Sequence, residues 1–189
     1  TGGVGPVLTI HNTAFQGGAP SGLLSELRLP GAEFHPGGLE YYGGISTLKA
    51  GLVTADRITT VSPSYADELM RPEFGMGLQG VVAARAGVVS GILNGVDTGI
   101  WSPEAADVPY SASAPAGKAA NRAALCAEFG LAVPGPLAIL VSRLTDQKGI
   151  DLLPGVLPGL IEGGGGLWVL GSGDPVLQVV MRRLEAQFP

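Results

Sequence analysis

Apolar residues along this chain fall into two rhythms. Short β-branched or wholly apolar runs alternate with stretches in which apolar positions recur every three or four residues, and polar, glycine-rich breaks separate them. Val7-Leu8-Thr9-Ile10 predicts a short strand that delivers His11-Asn12 at its end. Residues 13–38 are rich in Gly, Pro and polar side chains, with one apolar cluster at Leu23-Leu24-Leu27. They predict a long loop, of a length usually functional or mobile. Ile45, Leu48, Leu52 and Val53 predict a helix ending before Asp56-Arg57, and Ile58-Thr59-Thr60-Val61 the next strand. Ser62-Pro63 combines an N-cap with a proline in the first turn, and opens a helix with Tyr65, Leu69 and Met70 on its buried side. Residues 75–87 predict one more helix against the preference of their glycines, and a strand follows that ends at Asn94-Gly95-Val96-Asp97.

From Trp101-Ser102-Pro103 the composition shifts. Residues 103–117 are rich in Ala, Pro, Ser and Asp and read as a linker or surface excursion. Residues 118–129 predict a helix, and 136–141 a strand apolar enough to be buried on both faces, as in a parallel sheet. Helical spacing resumes from Gly149 to Glu162, but Pro154 and Pro158 each remove a helix hydrogen bond, so a kink or break near Pro154 is expected. Leu167-Trp168-Val169-Leu170 predicts a buried strand, Gly171-Ser172-Gly173-Asp174 a tight loop, and Pro175 opens the last helix. Strand–loop–helix alternation of this kind predicts an α/β fold with parallel sheets. The break near residues 95–117 predicts two such units facing one another.

The loop 142–149 carries the first candidate chemistry. Arg143 leaves the carboxyl end of a strand and Lys148 stands at or just before a helix amino terminus. In open α/β sheets ligands bind in that crevice, and a helix amino terminus disfavours cations unless an anion joins them. Two readings follow: a phosphate or diphosphate site, or a solvated loop with Asp146 as internal counter-ion.

Bulk composition narrows the classes. Hydrophobic residues make up 46% and charged residues 14%, enough for a core and far from disorder. The net charge is −5 and no Lys/Arg run occurs, which argues against nucleic acid. No stretch approaches the roughly 18 uninterrupted apolar residues of a membrane span. A lone cysteine, Cys126, excludes an internal disulfide, fits a reducing, cytoplasmic setting, and is expected to pack in a helix face. Two histidines and one cysteine without ligand spacing make a zinc site unexpected. The chain starts without Met and ends just after a helix, and reads as an internal piece of a longer protein.

His11-Asn12-Thr13-Ala14-Phe15-Gln16-Gly17 resembles the His-Asn-x-x-x-Gln-Gly segment of bacterial glycogen synthases and plant starch synthases. Leu48-Lys49-Ala50-Gly51, Thr60-Val61-Ser62-Pro63-Ser64-Tyr65, Leu93-Asn94-Gly95-Val96-Asp97 and Trp101-Ser102-Pro103 are similar in the same order. Ser142 to Gly149 and Leu170-Gly171-Ser172-Gly173-Asp174-Pro175 complete the set. The resemblance implies a GT-B-like α/β fold: parts of two Rossmann-like, doubly wound domains facing across a cleft. Residues 1–100 would be the later part of an amino-terminal, acceptor-side domain, 101–117 a linker or excursion, and 118–189 the earlier part of a nucleotide-sugar-binding domain. It also implies retaining transfer of glucose from ADP-glucose to the non-reducing end of an α-1,4-glucan, without a metal or other cofactor. Glycogen or a maltooligosaccharide would be the acceptor, with no nucleic-acid or membrane partner.

Carried over by motif, Arg143 and Lys148 would hold the donor diphosphate, and His11 would lie beside the transferred glucose. Asn12 and Gln16 would sit near sugar hydroxyls, Asn94 would be a cleft amide, and Gly171 and Gly173 would approach the nucleotide. Each has a plainer rival. His11 could bond a backbone carbonyl, Gln16 could be a loop amide, Asn94-Gly95 is a good turn dipeptide, and Gly171 to Asp174 a plain tight turn. Lys49 reads as a surface or interdomain cation outside the site. The family's amino-terminal Lys-x-Gly-Gly-Leu loop and its carboxyl-terminal Glu motif are absent, so this chain alone is expected to be inactive and its parent active. The alternatives are another GT-B transferase using UDP-glucose and a non-catalytic glucan- or nucleotide-binding module. A dinucleotide-binding domain fits poorly, because no Gly-x-Gly-x-x-Gly follows a strand.

Overall fold

A computed structural model describes residues 5–189. The chain divides into two compact units, Thr1–Val96 and Asp97–Pro189.

The first unit holds strands β1 (Val7–Ile10), β2 (Gly18–Pro20), β3 (Glu40–Tyr41), β4 (Gly44–Ser46), β5 (Arg57–Thr60) and β6 (Val89–Gly91). Its helices are α1 (Thr47–Thr54), α2 (Pro63–Glu68), α3 (Pro72–Gly75) and α4 (Gln79–Ala83). The main sheet is parallel with order β1-β5-β6, and Leu8 pairs with Ile58 and Ile10 with Thr60. Ile10 and Ile58 therefore share a face, and they join Leu52 of α1, Leu69, Leu78 and Val82 of α4 in one buried cluster. Both crossovers thus cover the same side of the sheet. On the opposite side Thr9 and Thr59 join hydroxyls at 2.8 Å in an exposed pair.

Three expectations are corrected here. An antiparallel sheet of order β2-β4-β3 takes in part of the stretch expected as one long loop (β2), residues just after it (β3) and the start of the expected first helix (β4). Ile45 lies in β4 at 2% exposure, and α1 starts only after Ser46, whose hydroxyl caps it by accepting from the Lys49 N–H at 3.1 Å. The helix expected over 75–87 is broken, because Met76 at φ 48° and Gly77 at φ 86° are both left-handed. A side chain at Gly77 would collide with the Tyr41 hydroxyl, so the break is fixed by packing.

The second unit begins with a turn in which the Asp97 carboxylate accepts from the Gly99 N–H at 2.9 Å. The stretch 103–117 opens with a 3-10 turn, Pro103–Ala105, and Asn121 donates to the Val108 carbonyl at 2.7 Å, tying the stretch to helix α5 (Gly117–Phe129). Strands β7 (Leu137–Val141) and β8 (Gly166–Leu170) pair in parallel, flanked by α6 (Leu153–Glu162) and α7 (Pro175–Gln187). Leu144, Ile150 and Leu177 form the buried cluster, with Leu140 and Val169 packed against it from the sheet. Phe129 of α5 meets Trp168 at 5.1 Å on the other face.

β7 is not buried on both faces as expected. Ile139 and Val141 are 57% and 66% exposed: the cluster covers the Leu140 side, and on the other side Phe129 of α5 packs on Trp168 while Arg122 bonds the Val133 and Gly135 carbonyls ahead of β7. Cys126 is half-buried rather than fully packed. The helix expected from Gly149 is also divided. Gly149 is left-handed at φ 68°, a 3-10 turn spans Ile150–Leu152, and α6 starts at Leu153 with Pro154 in its first turn, where no N–H is needed. The expected break is thus a change of helix type, and Pro158 remains inside α6.

Candidate functional site

In the second unit the strand ladder continues past the strands themselves. The Ser142 N–H donates to the Leu170 carbonyl at 3.1 Å, and the Leu144 N–H to the Ser172 carbonyl at 2.9 Å. The Asp174 N–H returns to the Leu144 carbonyl at 2.8 Å. Leu144 and Gly173 pair in parallel, so the loop after β7 and the loop after β8 lie backbone to backbone. A Cβ on Gly171 would strike the Ser142 carbonyl oxygen, and one on Gly173 the Leu144 carbonyl oxygen. Both glycines therefore have a packing reason to be glycine, whatever else they meet.

This clamp leaves two cations outside. Leu144 is 3% exposed and Ile150 fully buried, while Arg143 and Lys148 are exposed. Lys148 ends a 3-10 turn, Asp146–Lys148, closed by the Gly149 N–H donating to the Asp146 carbonyl at 2.9 Å. Among the described residues, neither cation forms an ion pair or side-chain hydrogen bond, and Asp146 does not serve as their counter-ion. The hydroxyl of Thr145, between them, is buried without a partner among the described residues. The entrances after the two strands of this unit differ. α7 is capped by Asp174, whose carboxylate accepts from Val176 at 2.7 Å, whereas the turns after Thr145 and Gly149 have no side-chain cap. Of these two loops, the cationic one is the one without a side-chain cap, which leaves backbone donors there for an anion.

In the first unit His11 follows β1 directly, is exposed, and makes no hydrogen bond among the described residues, so the carbonyl-bonded alternative is not observed. Asn12 accepts from the Ala14 N–H at 2.9 Å through its side-chain oxygen and thereby shapes the turn. Gln16 donates from its amide nitrogen to the Met76 carbonyl at 2.9 Å, which commits part of that side chain to the fold. Asn94 is exposed, three residues beyond β6 and outside any strand or helix. Lys49, expected as a surface or interdomain cation, is 6% exposed instead. Its ammonium donates to the Pro36 carbonyl at 2.6 Å and to the Glu40 carbonyl, tying α1 to the β3 region.

Sequence reasoning passed over Thr13. It is 2% exposed, its hydroxyl donates to the Phe74 carbonyl at 3.2 Å, and it lies 3.3 Å from the Tyr65 hydroxyl. The one available signal was its place inside the His11 motif. Among the described residues no three His, Cys, Asp or Glu side chains group as metal ligands, and no helix is long and apolar enough to cross a membrane.

Comparison with known proteins adds the family. A family model described as the starch synthase catalytic domain matches residues 3–84. Glycogen synthases from two strains of Cereibacter sphaeroides are 71% and 69% identical to the chain over its whole length. A glycogen synthase of Paracoccus denitrificans is 57% identical over 96% of it. The chain belongs to the glycogen and starch synthase family. It spans 39–40% of the length of the two Cereibacter glycogen synthases. Among solved structures, the catalytic domain of starch synthase IV from Arabidopsis thaliana, bound to ADP and acarbose, matches with a TM-score of 0.82. That match has 31% identity and covers 96% of this chain and 39% of the starch synthase. The α/β fold of the two units, with parallel strands in each, is the GT-B-like fold of glycogen and starch synthases.

Proposed function

We propose that this chain forms part of a retaining glucosyltransferase that moves glucose from ADP-glucose to the non-reducing end of an α-1,4-glucan, in glycogen or starch synthesis. The observation that carries this reading is the pair of exposed, unpaired cations, Arg143 and Lys148, on a loop pinned by buried Leu144 and Ile150. In this reading the two side chains hold the donor diphosphate. Each charge-assisted contact is worth about 1.5–3 kcal/mol, and contacts fixed beforehand act mainly on the transition state. As the bond from glucose to the β-phosphate breaks, negative charge grows on departing ADP. The guanidinium and ammonium neutralise it, with no metal ion taking part. The departing diphosphate accepts the proton of the incoming glucan hydroxyl on the same face of the sugar, so the anomeric configuration is retained.

His11 stands beside the transferred glucose in this scheme, with Asn12 and Gln16 at sugar hydroxyls and Asn94 as a further amide. Gly171 and Gly173 keep the second loop low beside the nucleotide. The ADP and acarbose bound by Arabidopsis starch synthase IV support pairing a nucleotide sugar with a glucan. They also favour ADP-glucose over UDP-glucose as donor. The single half-buried cysteine suits a cytoplasmic protein.

The test is a full-length exchange. This chain replaces the matching segment of the Cereibacter sphaeroides glycogen synthase, to which it is 71% identical over 188 residues. Incorporation of glucose into glycogen from ADP-glucose is expected, with UDP-glucose poorer by about tenfold or more in kcat/KM. Equal use of both donors would overturn the assignment of ADP-glucose. Nucleotide binding without transfer would make the chain part of a binding module.

A further inference from the structure

We infer that Thr13 is a positioning residue for His11, seated on the Tyr65 hydroxyl and the Phe74 carbonyl. The inference rests on the role proposed above for His11. The imidazole itself makes no hydrogen bond among the described residues, so its direction is set by the backbone on either side. Upstream the backbone is fixed: Ile10 is 2% exposed and its carbonyl accepts from the Thr60 hydroxyl at 2.8 Å. Downstream, Asn12 turns the chain, and Thr13 is the first residue to re-enter the interior.

Proton accounting at Thr13 closes on one arrangement. Its hydroxyl has one proton, which goes to the Phe74 carbonyl at 3.2 Å. The contact at 3.3 Å with Tyr65 is then a phenol donating to the Thr13 oxygen, while the Thr13 N–H donates to that same phenol at 3.4 Å. The bonds are long, and burial gives them weight: at 2% exposure no water replaces a lost partner. Valine would fill the same space without needing partners. A hydroxyl here serves placement of the loop on α2 and α3, not packing. Gln16 completes the seat at the far end of the loop. Its amide and the Tyr41 hydroxyl both donate to the Met76 carbonyl, at 2.9 and 3.1 Å, which the left-handed backbone of Met76 presents. Thr13 touches no reacting atom in this scheme; it acts through His11.

The test uses two readouts. In the full-length exchange described above, Thr13→Val is expected to lower kcat about tenfold while KM for ADP-glucose stays within about twofold, as for a misplaced catalytic group. Thr13→Ser, which keeps the hydroxyl, is expected to recover most of the loss. Tyr65→Phe should lower kcat too, and the Thr13→Val/Tyr65→Phe pair should lose less than the product of the two single losses, because the singles share the hydroxyl–hydroxyl bond while each also removes a bond of its own. The second readout needs no activity. In the exchange protein, His11→Gln assigns the ring signals of His11 by NMR as the set that disappears. One sharp set is expected in the parent and in Thr13→Ser, and several or broadened sets in Thr13→Val. Unchanged kcat in Thr13→Val, a loss that serine does not recover, or one sharp His11 set in the valine variant would each overturn the inference. If the unsubstituted exchange protein transfers no glucose, the functional reading falls, and the ring signals alone decide whether Thr13 orients His11.

Discussion

Arg143 and Lys148 differ in what a substitution removes. Arginine presents a planar fork that grips two phosphate oxygens at once, whereas lysine contributes a compact charge on a flexible stem. Both side chains are exposed and neither bonds to the fold among the described residues, so truncation leaves no buried group unpaired. In the full-length exchange, Arg143→Ala is expected to lower kcat with ADP-glucose by roughly a hundred- to a thousandfold, the usual cost of removing one preorganised stabilising contact. Arg143→Lys is expected to fall between, keeping the charge and losing the fork. The melting temperature should stay within about a degree, in line with a surface change away from the core. Turnover near the parent value in Arg143→Ala would remove the role given to this side chain. Lys49 is the contrasting residue: the same kind of charge, but buried and spent on the Pro36 and Glu40 carbonyls. Only the surroundings distinguish an exposed cation with no partner among the described residues from one that closes a fold.

At the scale of elements, the clamp between the loops after β7 and β8 can be tested directly. Gly171 and Gly173 bring backbone against backbone, and the Leu144 N–H and carbonyl are held by Ser172 and Asp174. Gly171→Ala must push the Ser142 carbonyl away and is expected to cost about 1–3 kcal/mol, as overpacking does. Urea unfolding followed by the fluorescence of Trp101 and Trp168, both in the second unit, measures it, and an unchanged midpoint would show that the loops can part freely. The principal strands and the positions of Arg143 and Lys148 were legible from sequence, because an apolar run that turns polar marks a strand end. The β2-β4-β3 sheet was not, since strands of two or three residues are too short to show a period. Nor was the break at Met76 visible. Its apolar neighbours read through as one helix, and what holds it left-handed is bonding from Gln16 and Tyr41, far away in sequence. Thr13 was hidden for the same reason, its partners lying 52 and 61 positions along the chain. The exposure of Ile139 and Val141 escaped for another: composition records what a strand tolerates, not which neighbours cover it.

At the scale of the whole molecule, the two units have separate cores. The first buries seven apolar residues in one cluster, among them Ile10, Leu52, Ile58 and Leu69. The second has a cluster of three, Leu144, Ile150 and Leu177, with Leu157 buried outside it, and leaves one side of β7 largely open. Hydrophobic burial is the main favourable contribution to folding, and it scales with the apolar area removed from water. The first unit is therefore expected to unfold at higher denaturant than the second, giving two transitions instead of one cooperative step. Substitutions assign them. Leu69→Ala removes a fully buried side chain and should cost the first unit about 2–5 kcal/mol, moving the later transition only. Leu177→Ala should shift only the earlier one, and by less, since Leu177 retains 8% exposure. Native-state hydrogen exchange provides the residue-level check, with β1 and β5 amides outlasting those of β7 and β8. A single transition that both substitutions move together would mean that the cores fold as one, and independent units would then be the wrong description.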